Sequence, residues 1–353
     1  MNRREFKVEK SFTISIGDLI FQIKNNGLFI LKENVGALHT PITVEEMVTL
    51  SEFCTKATDI LQPIPGNKLI YVNNSGPQTV SIFVNERNNY SLLINSQLQF
   101  MTESEEIYHE ALVGPAVCSL NFNPKNFLIL GGGDGLVAKQ IFKENPDAKV
   151  LLVDFDKNIT DLFTNDETLK YFNENSMDKC EVLNDDAFEF VKNHKDIYDV
   201  IICDFPDPDH DIFNKLYSFE FYENVKKLLN PKGILAVQSG SLVRESKCFK
   251  CIKKTIESNN FKTTTFYTPS SYGDLVYTLA KLDEVPNPQL NKSNREYKTI
   301  SQEYFDKAMK TFRPDAYSKE DVDINTVENN KALEYRINEL YYPNTNEKMK
   351  DNE

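Results

Sequence analysis

The chain has 353 residues and a formal net charge of −13, from 40 Lys and Arg against 53 Asp and Glu. That length can bury a sizeable core and hold more than one domain, and the acidic balance argues against a nucleic-acid groove while suiting a cationic ligand. No apolar run approaches the ~18 residues of a membrane span, the charged N-terminus lacks a signal-peptide pattern and six scattered cysteines do not make a disulfide framework, so the expectation is a cytoplasmic protein without membrane contact.

Residues 1–66 read as a small appendage of unassigned role. Phe12, Ile14 and Ile16 alternate, and the apolar runs at 19–21 and 28–31 suggest further short strands. A capping-box pattern at Thr43-Val-Glu-Glu46 opens a helix, and Gln62-Pro-Ile-Pro-Gly66 marks a boundary. Residues 67–123 read as an antiparallel β unit, with strand-like runs at 69–72, 79–84 and 90–94, and a linking helix from about Ser104 to Val113.

Residues 124–282 carry an α/β pattern. In Asn126-Phe-Leu-Ile-Leu-Gly-Gly-Gly-Asp-Gly135 an unbroken apolar run predicts a strand buried on both faces. Glycines follow, then an amphipathic run with Leu136, Val137, Ile141 and Phe142. Such a strand–turn–helix lets a ligand approach the backbone at the start of the helix. A second strand, Lys149-Val-Leu-Leu-Val-Asp-Phe-Asp156, ends in acid, with Asp154 about 20 residues past the glycines, where a carboxylate can hold ribose hydroxyls. Third and fourth acidic strand ends come at Val182-Leu-Asn-Asp-Asp-Ala187 and in the run from Tyr198 to Pro208. In an open α/β sheet the ligand sits outside the carboxyl ends of the strands, so these acids converge on one crevice. Strand-like runs at 233–238, 262–267 and 275–280 complete the sheet.

The expected fold class is therefore α/β. It is a Rossmann-like, methyltransferase-type doubly wound sheet, preceded by a small antiparallel β domain and an N-terminal α+β appendage. Residues 283–353 read as a polar extension with amphipathic helices near 301–312 and 327–341 and a disordered tail from 344. Cys248 and Cys251 form a CxxC pair on a helix without further ligands, and Cys203 sits in a buried strand, so no metal site is expected.

Methyltransferases and aminopropyl transferases both bind adenosine in such a crevice. Asp134 separates them physically. Ordinary S-adenosylmethionine carries a carboxylate on its amino-acid arm, which a nearby acid repels, whereas the decarboxylated donor carries only an ammonium there.

Tyr108-His-Glu110, Gly131-Gly-Gly-Asp-Gly135, Asp185-Asp-Ala187 and Asp204-Phe-Pro-Asp-Pro208, in that order, resemble the spermidine/spermine synthase family of polyamine aminopropyltransferases. Leu98-Gln-Phe100 and Pro269-Ser-Ser-Tyr-Gly-Asp274 are most similar to a bacterial branch whose members often carry membrane helices in front; this chain shows no such helices. The likeness covers roughly residues 68–281, and Val322-Asp-Ile-Asn-Thr-Val-Glu-Asn-Asn330 extends it towards 341.

The resemblance implies roles for particular positions. Gly131, Gly133, Asp154, Asp185, Asp186 and Ala187 would hold the donor nucleoside, Asp154 at the ribose and Asp186 at the adenine amino group. Asp134 and Asp207 would grip amino groups of donor and acceptor, while Gln78, Gln99, Tyr108, His109 and Tyr272 line the propylamine and diamine side. Asp204 would take the proton from the attacking amine. Tyr217 is a further candidate wall. The resemblance also implies decarboxylated S-adenosylmethionine as co-substrate with no separate cofactor, polyamine substrates with putrescine foremost, and a homodimer or higher homo-oligomer.

The chain departs from the soluble branch in having Leu136 after the glycine turn, Asp209-His-Asp211 after the second aspartate and no Trp, which affects the shape of the acceptor pocket. The competing readings are an N-methyltransferase of a small amine, which the acid of Asp204-Phe-Pro-Asp disfavours where an aromatic wall is needed, and a catalytically silent adenosine-binding subunit.

Overall fold

Residues 11–16, 19–24, 27–32, 67–73, 76–95, 97–270, 273–293, 295–312 and 321–341 are described by a computed structural model. The helix expected at 43–46, the boundary at 62–66, Tyr272 and the tail from 344 lie outside these residues. The chain divides into two units, Met1–Glu103 and Ser104–Glu353.

In the first unit, β1 (Ser11–Ile16), β2 (Leu19–Lys24) and β3 (Gly27–Lys32) form an antiparallel sheet where the first apolar runs predict strands. A second antiparallel sheet runs in order β4 (Asn67–Asn73), β5 (Val80–Asn85), β6 (Tyr90–Ile94) and β7 (Gln97–Met101). It has one strand more than expected. In β7 the glutamines at 97 and 99 interrupt the apolar residues, so no run stands out, yet pairing with β6 fixes the segment and buries Phe100.

The second unit begins with α1 (Glu105–Val117), which runs a turn beyond its expected end despite Pro115. Ala111, Leu112, Val113 and Ala116 are fully buried, and that packing outweighs the one backbone bond proline removes. Ser119 Oγ closes the end by donating to the Pro115 carbonyl at 2.8 Å.

The central sheet comprises β8 (Asn126–Gly131), β9 (Lys149–Val153), β10 (Glu181–Leu183), β11 (Tyr198–Asp204), β12 (Leu229–Ser241), β13 (Lys262–Ser270) and β14 (Gly273–Lys281). Their order is β10-β9-β8-β11-β12-β14-β13, with β14 antiparallel to both neighbours and the strands from β10 to β12 parallel. The helices are α2 (Leu136–Glu144), α3 (Lys157–Asn165), α4 (Glu167–Phe172), α5 (Ala187–Asn193), α6 (Asp211–Asn214), α7 (Phe219–Leu228), α8 (Ser246–Ser258), α9 (Gln302–Thr311) and α10 (Lys331–Tyr341).

Period-2 alternation divides the buried strands between two cores. Leu128, Leu130, Ile201, Cys203 and Leu235 pack with α5, α7 and α8. Phe127, Ile129, Val200, Ile202 and Ile234 pack on the opposite face with α1, α2 and Phe305 of α9. Cys248 and Cys251 are fully buried in the first core, and among the described residues no group of His, Cys, Asp and Glu is gathered for a metal ion. No helix of the described residues is long and apolar enough to cross a membrane.

Strand order reverses between β8 and β11. There Gly131 pairs with Asp204, Leu130 with Val153 of β9, and Val153 in turn with Leu183 of β10. The residues just past these pairs form one rim.

Candidate active site

At the rim the chain turns sharply at Gly131, whose φ of 84° favours glycine. A Cβ there would collide with the Asp204 carbonyl oxygen. The turn is thereby held against the end of β11. Gly133 N–H donates to Asp154 Oδ2 at 3.0 Å, and Asp156 N–H to Asp154 Oδ1 at 2.8 Å, so the acid after β9 is fastened to the glycine turn. Burial lifts the Asp154 carboxyl to about 7, against both of those hydrogen bonds.

Asp134 Oδ1 accepts from Leu136 N–H at 2.9 Å, at the start of α2. Burial raises its carboxyl to about 6; His109 opposes the rise and the charge of Asp204 adds to it. Asp204 itself is raised by burial, with the charge of His109 and the Tyr108 hydrogen bond acting the other way. The Tyr108 hydroxyl donates to Asp204 Oδ1, and the Tyr108 ring stands edge-on to His109 at 4.8 Å. The Tyr277 ring lies 5.8 Å from that of Tyr108, adding a second aromatic from β14. Asp134, His109, Tyr108 and Asp204 thus form one interacting group at the switch point.

Residues flanking this group fix it. His109 Nδ1 lies 2.9 Å from Glu105 Oε2, and the other Glu105 oxygen pairs with Lys139 of α2. Burial depresses the His109 pKa, but its hydrogen bond to Glu105 and the surrounding carboxylates outweigh this and raise it. Next along α1, the buried Glu110 accepts from Arg295 Nη2 at 2.7 Å, Lys298 N–H at 2.9 Å and Thr299 N–H at 2.8 Å.

On the other side of the rim, Asp186 caps α5 through Phe188 N–H at 2.8 Å and pairs with Lys215 Nζ at 2.6 Å. Asp185 is exposed and accepts from Asp186 N–H, and Ala187 is buried at the start of α5. Asp207 Oδ1 accepts from Gln238 Nε2 at 3.0 Å, and Asp207 Oδ2 lies 3.0 Å from Arg336 Nη1.

The spermine/spermidine synthase domain model matches residues 105–294. The chain belongs to the spermine/spermidine synthase family. Among its relatives, the polyamine aminopropyltransferase of Oceanobacillus iheyensis is 36% identical over 227 residues, 64% of this chain and 44% of that protein. That of Leptospira interrogans is 34% identical over 253 residues, 70% and 50%. The chain thus spans about half the length of these curated relatives, or less. The crystal structure of spermidine synthase from Thermotoga maritima is similar in fold, with TM-score 0.62 at 24% identity over 71% of this chain and 87% of that one. A spermidine synthase in complex with the transition state analogue AdoDATO gives 0.61 at 21%, over 70% and 87%.

Of the positions the family resemblance singles out, Gly131, Gly133, Asp134, Asp154, Tyr108, His109, Asp204, Asp207, Asp185, Asp186 and Ala187 all lie at the ends of β8 to β11 or on α1 and α5. Gln78 and Gln99 belong to the first unit; Gln78 is buried before β5, and Gln99 on β7 donates to the Gln97 carbonyl at 3.2 Å. Tyr217 is fully buried and donates to the Pro206 carbonyl at 3.0 Å, so it braces the Asp204–Pro208 loop from behind and is no exposed wall. Glu105, Lys215, Gln238 and Arg336 were not legible beforehand. Lys215, Gln238 and Arg336 are single polar residues distant in sequence from their partners, and Glu105, though one turn from His109, carries no motif that marks it.

Proposed function

We propose that the protein is a polyamine aminopropyltransferase. It moves the aminopropyl group of decarboxylated S-adenosylmethionine to putrescine and releases spermidine and methylthioadenosine. The observation that carries this reading is the Tyr108 hydroxyl on Asp204, beside Gly131 at the point where strand order reverses.

A primary amine has a pKa near 10 and is protonated at neutral pH, so it attacks carbon only after losing a proton. Asp204 is the acceptor, and its desolvated carboxylate is a stronger base than an exposed one. The nitrogen lone pair forms the new N–C bond while the electrons of the C–S bond return to sulfur. The sulfonium leaves as a neutral thioether, so no acid and no cofactor is needed on that side. What the protein supplies is alignment.

In this reading Asp154 holds the ribose, Asp185, Asp186 and Ala187 bound the adenine, and Asp134 meets the donor ammonium. His109, Tyr272 and Asp207 serve the amine side, in a homodimer or higher homo-oligomer. Polyamine aminopropyltransferases are the named activity of the relatives above, which supports the substrate class.

The test is to incubate the protein with putrescine and either the decarboxylated or the ordinary donor. Methylthioadenosine from the decarboxylated donor alone is expected. S-adenosylhomocysteine would establish methyl transfer instead, and neither product would leave only adenosine binding.

A further inference from the structure

Arg336 lies on α10, in the C-terminal extension, and only 8% of it is exposed. Its Nη1 lies 3.0 Å from Asp207 Oδ2 and also pairs with Glu245, while its Nε is buried without a hydrogen-bond partner. Gln238, the donor to the other Asp207 oxygen, follows the Cys203–Val237 pair and so stands beside Asp204 on the rim. The guanidinium is therefore joined to the catalytic strand ends, far from the chain position that supplies it.

This placement is built into the fold. At the start of α10, Ala332 N–H donates to Asn325 Oδ1 at 3.0 Å and Leu333 N–H to Asn214 Oδ1 at 3.1 Å. One turn past Arg336, Glu339 accepts from Lys247 N–H at 2.8 Å and Cys248 N–H at 3.2 Å, satisfying the first turn of α8. Both ends of the helix are thus tied before the arginine reaches inward.

Resting on the aminopropyl-transfer reading, we propose that Arg336 selects the acceptor: its guanidinium occupies the cationic position beyond Asp207, so the site takes a short diamine and excludes a triamine. A carboxylate has room for about four donors, so one ammonium can still reach Asp207 beside Gln238 and Arg336. The charge of Asp207 is already matched, however, and a further ammonium along a longer chain meets a fixed like charge where it needs an acid. Glu245 shares the same guanidinium, and burial and the charge of Asp207 push its carboxyl up against the pull of Arg336 and Arg244.

The experiment compares kcat/KM for putrescine and spermidine as acceptors, reading methylthioadenosine release from the decarboxylated donor. Wild type is expected to prefer putrescine by at least about 30-fold, and Arg336→Gln to narrow that ratio by about 10-fold or more. Arg336→Lys, which keeps the charge, should stay within about 3-fold of the wild-type ratio. Comparable use of both amines by wild type, or an unchanged ratio in an Arg336→Gln variant shown to be folded by circular dichroism, would overturn the inference. The wild-type comparison stands even where the variant does not fold. Absence of methylthioadenosine with either amine in wild type would instead strike the aminopropyl-transfer reading, and this inference with it.

Discussion

Asp204 and Asp134 are carboxylates for which ionisation is costly until a cation arrives, which is what an amine-handling site requires. Replacing Asp204 by Asn removes the proton acceptor but leaves the hydrogen-bonding shape. Turnover should fall about 100-fold or more while donor affinity stays within about 3-fold; near-normal methylthioadenosine release would take Asp204 out of the base role. For Asp134 the sign of the pH effect is fixed. Its carboxyl sits at about 6, and in the proposed reading only the ionised form pairs with the donor ammonium. Donor affinity should therefore be level above that pH and fall about tenfold per unit below it. In Asp134→Asn this slope should vanish, as calorimetric titration across the range would read; a persistent slope would assign it to another group. These acids were legible because each follows an unbroken apolar run, so chain position alone places it at a strand end. Lys215 and Gln238, which pair with Asp186 and Asp207, were not, since nothing in their local sequence records what lies across the sheet.

At the scale of elements, α1 carries Tyr108 and His109 and is aimed by Glu105. Burial alone would raise that carboxyl, but the hydrogen bond and charge of His109, with Lys139, bring it down to about 2. A depressed acid stabilises the fold above its ordinary 4.5, and that stability is lost as pH falls through about 2. Glu105→Gln strands the buried Lys139 and His109 and should cost about 3 kcal/mol at neutral pH. The gap from wild type in urea unfolding should shrink on acidification, and a loss below about 1 kcal/mol would mean the triad is not holding the helix. The strands β8 and β11 were readable from apolar continuity. The antiparallel insertion of β14 between β12 and β13 was not, because 275–280 has the same composition whichever way the strand runs, and the extra length of α1 depends on packing that overrides Pro115.

For the molecule as a whole, the doubly wound layout follows from alternating strands and helices, and the order reversal at β8 and β11 brings the acidic strand ends to one rim. Ser104–Glu353 contains the entire central sheet and both of its cores. Expressed alone, it should unfold in one cooperative thermal transition and retain methylthioadenosine binding within about 3-fold. A gradual, non-cooperative melt by circular dichroism would show that the first unit is needed for folding.

Glu110 lies next to His109, and three of its hydrogen bonds come from residues 295, 298 and 299, some 185 to 189 positions downstream. During translation the N-terminal half of α1 can coil early, yet its final aim waits until that distant stretch has left the ribosome. Nascent chains stalled before it should already display a collapsed sheet while the tyrosine beside the switch point stays unset, so the site would be complete only once that stretch has emerged.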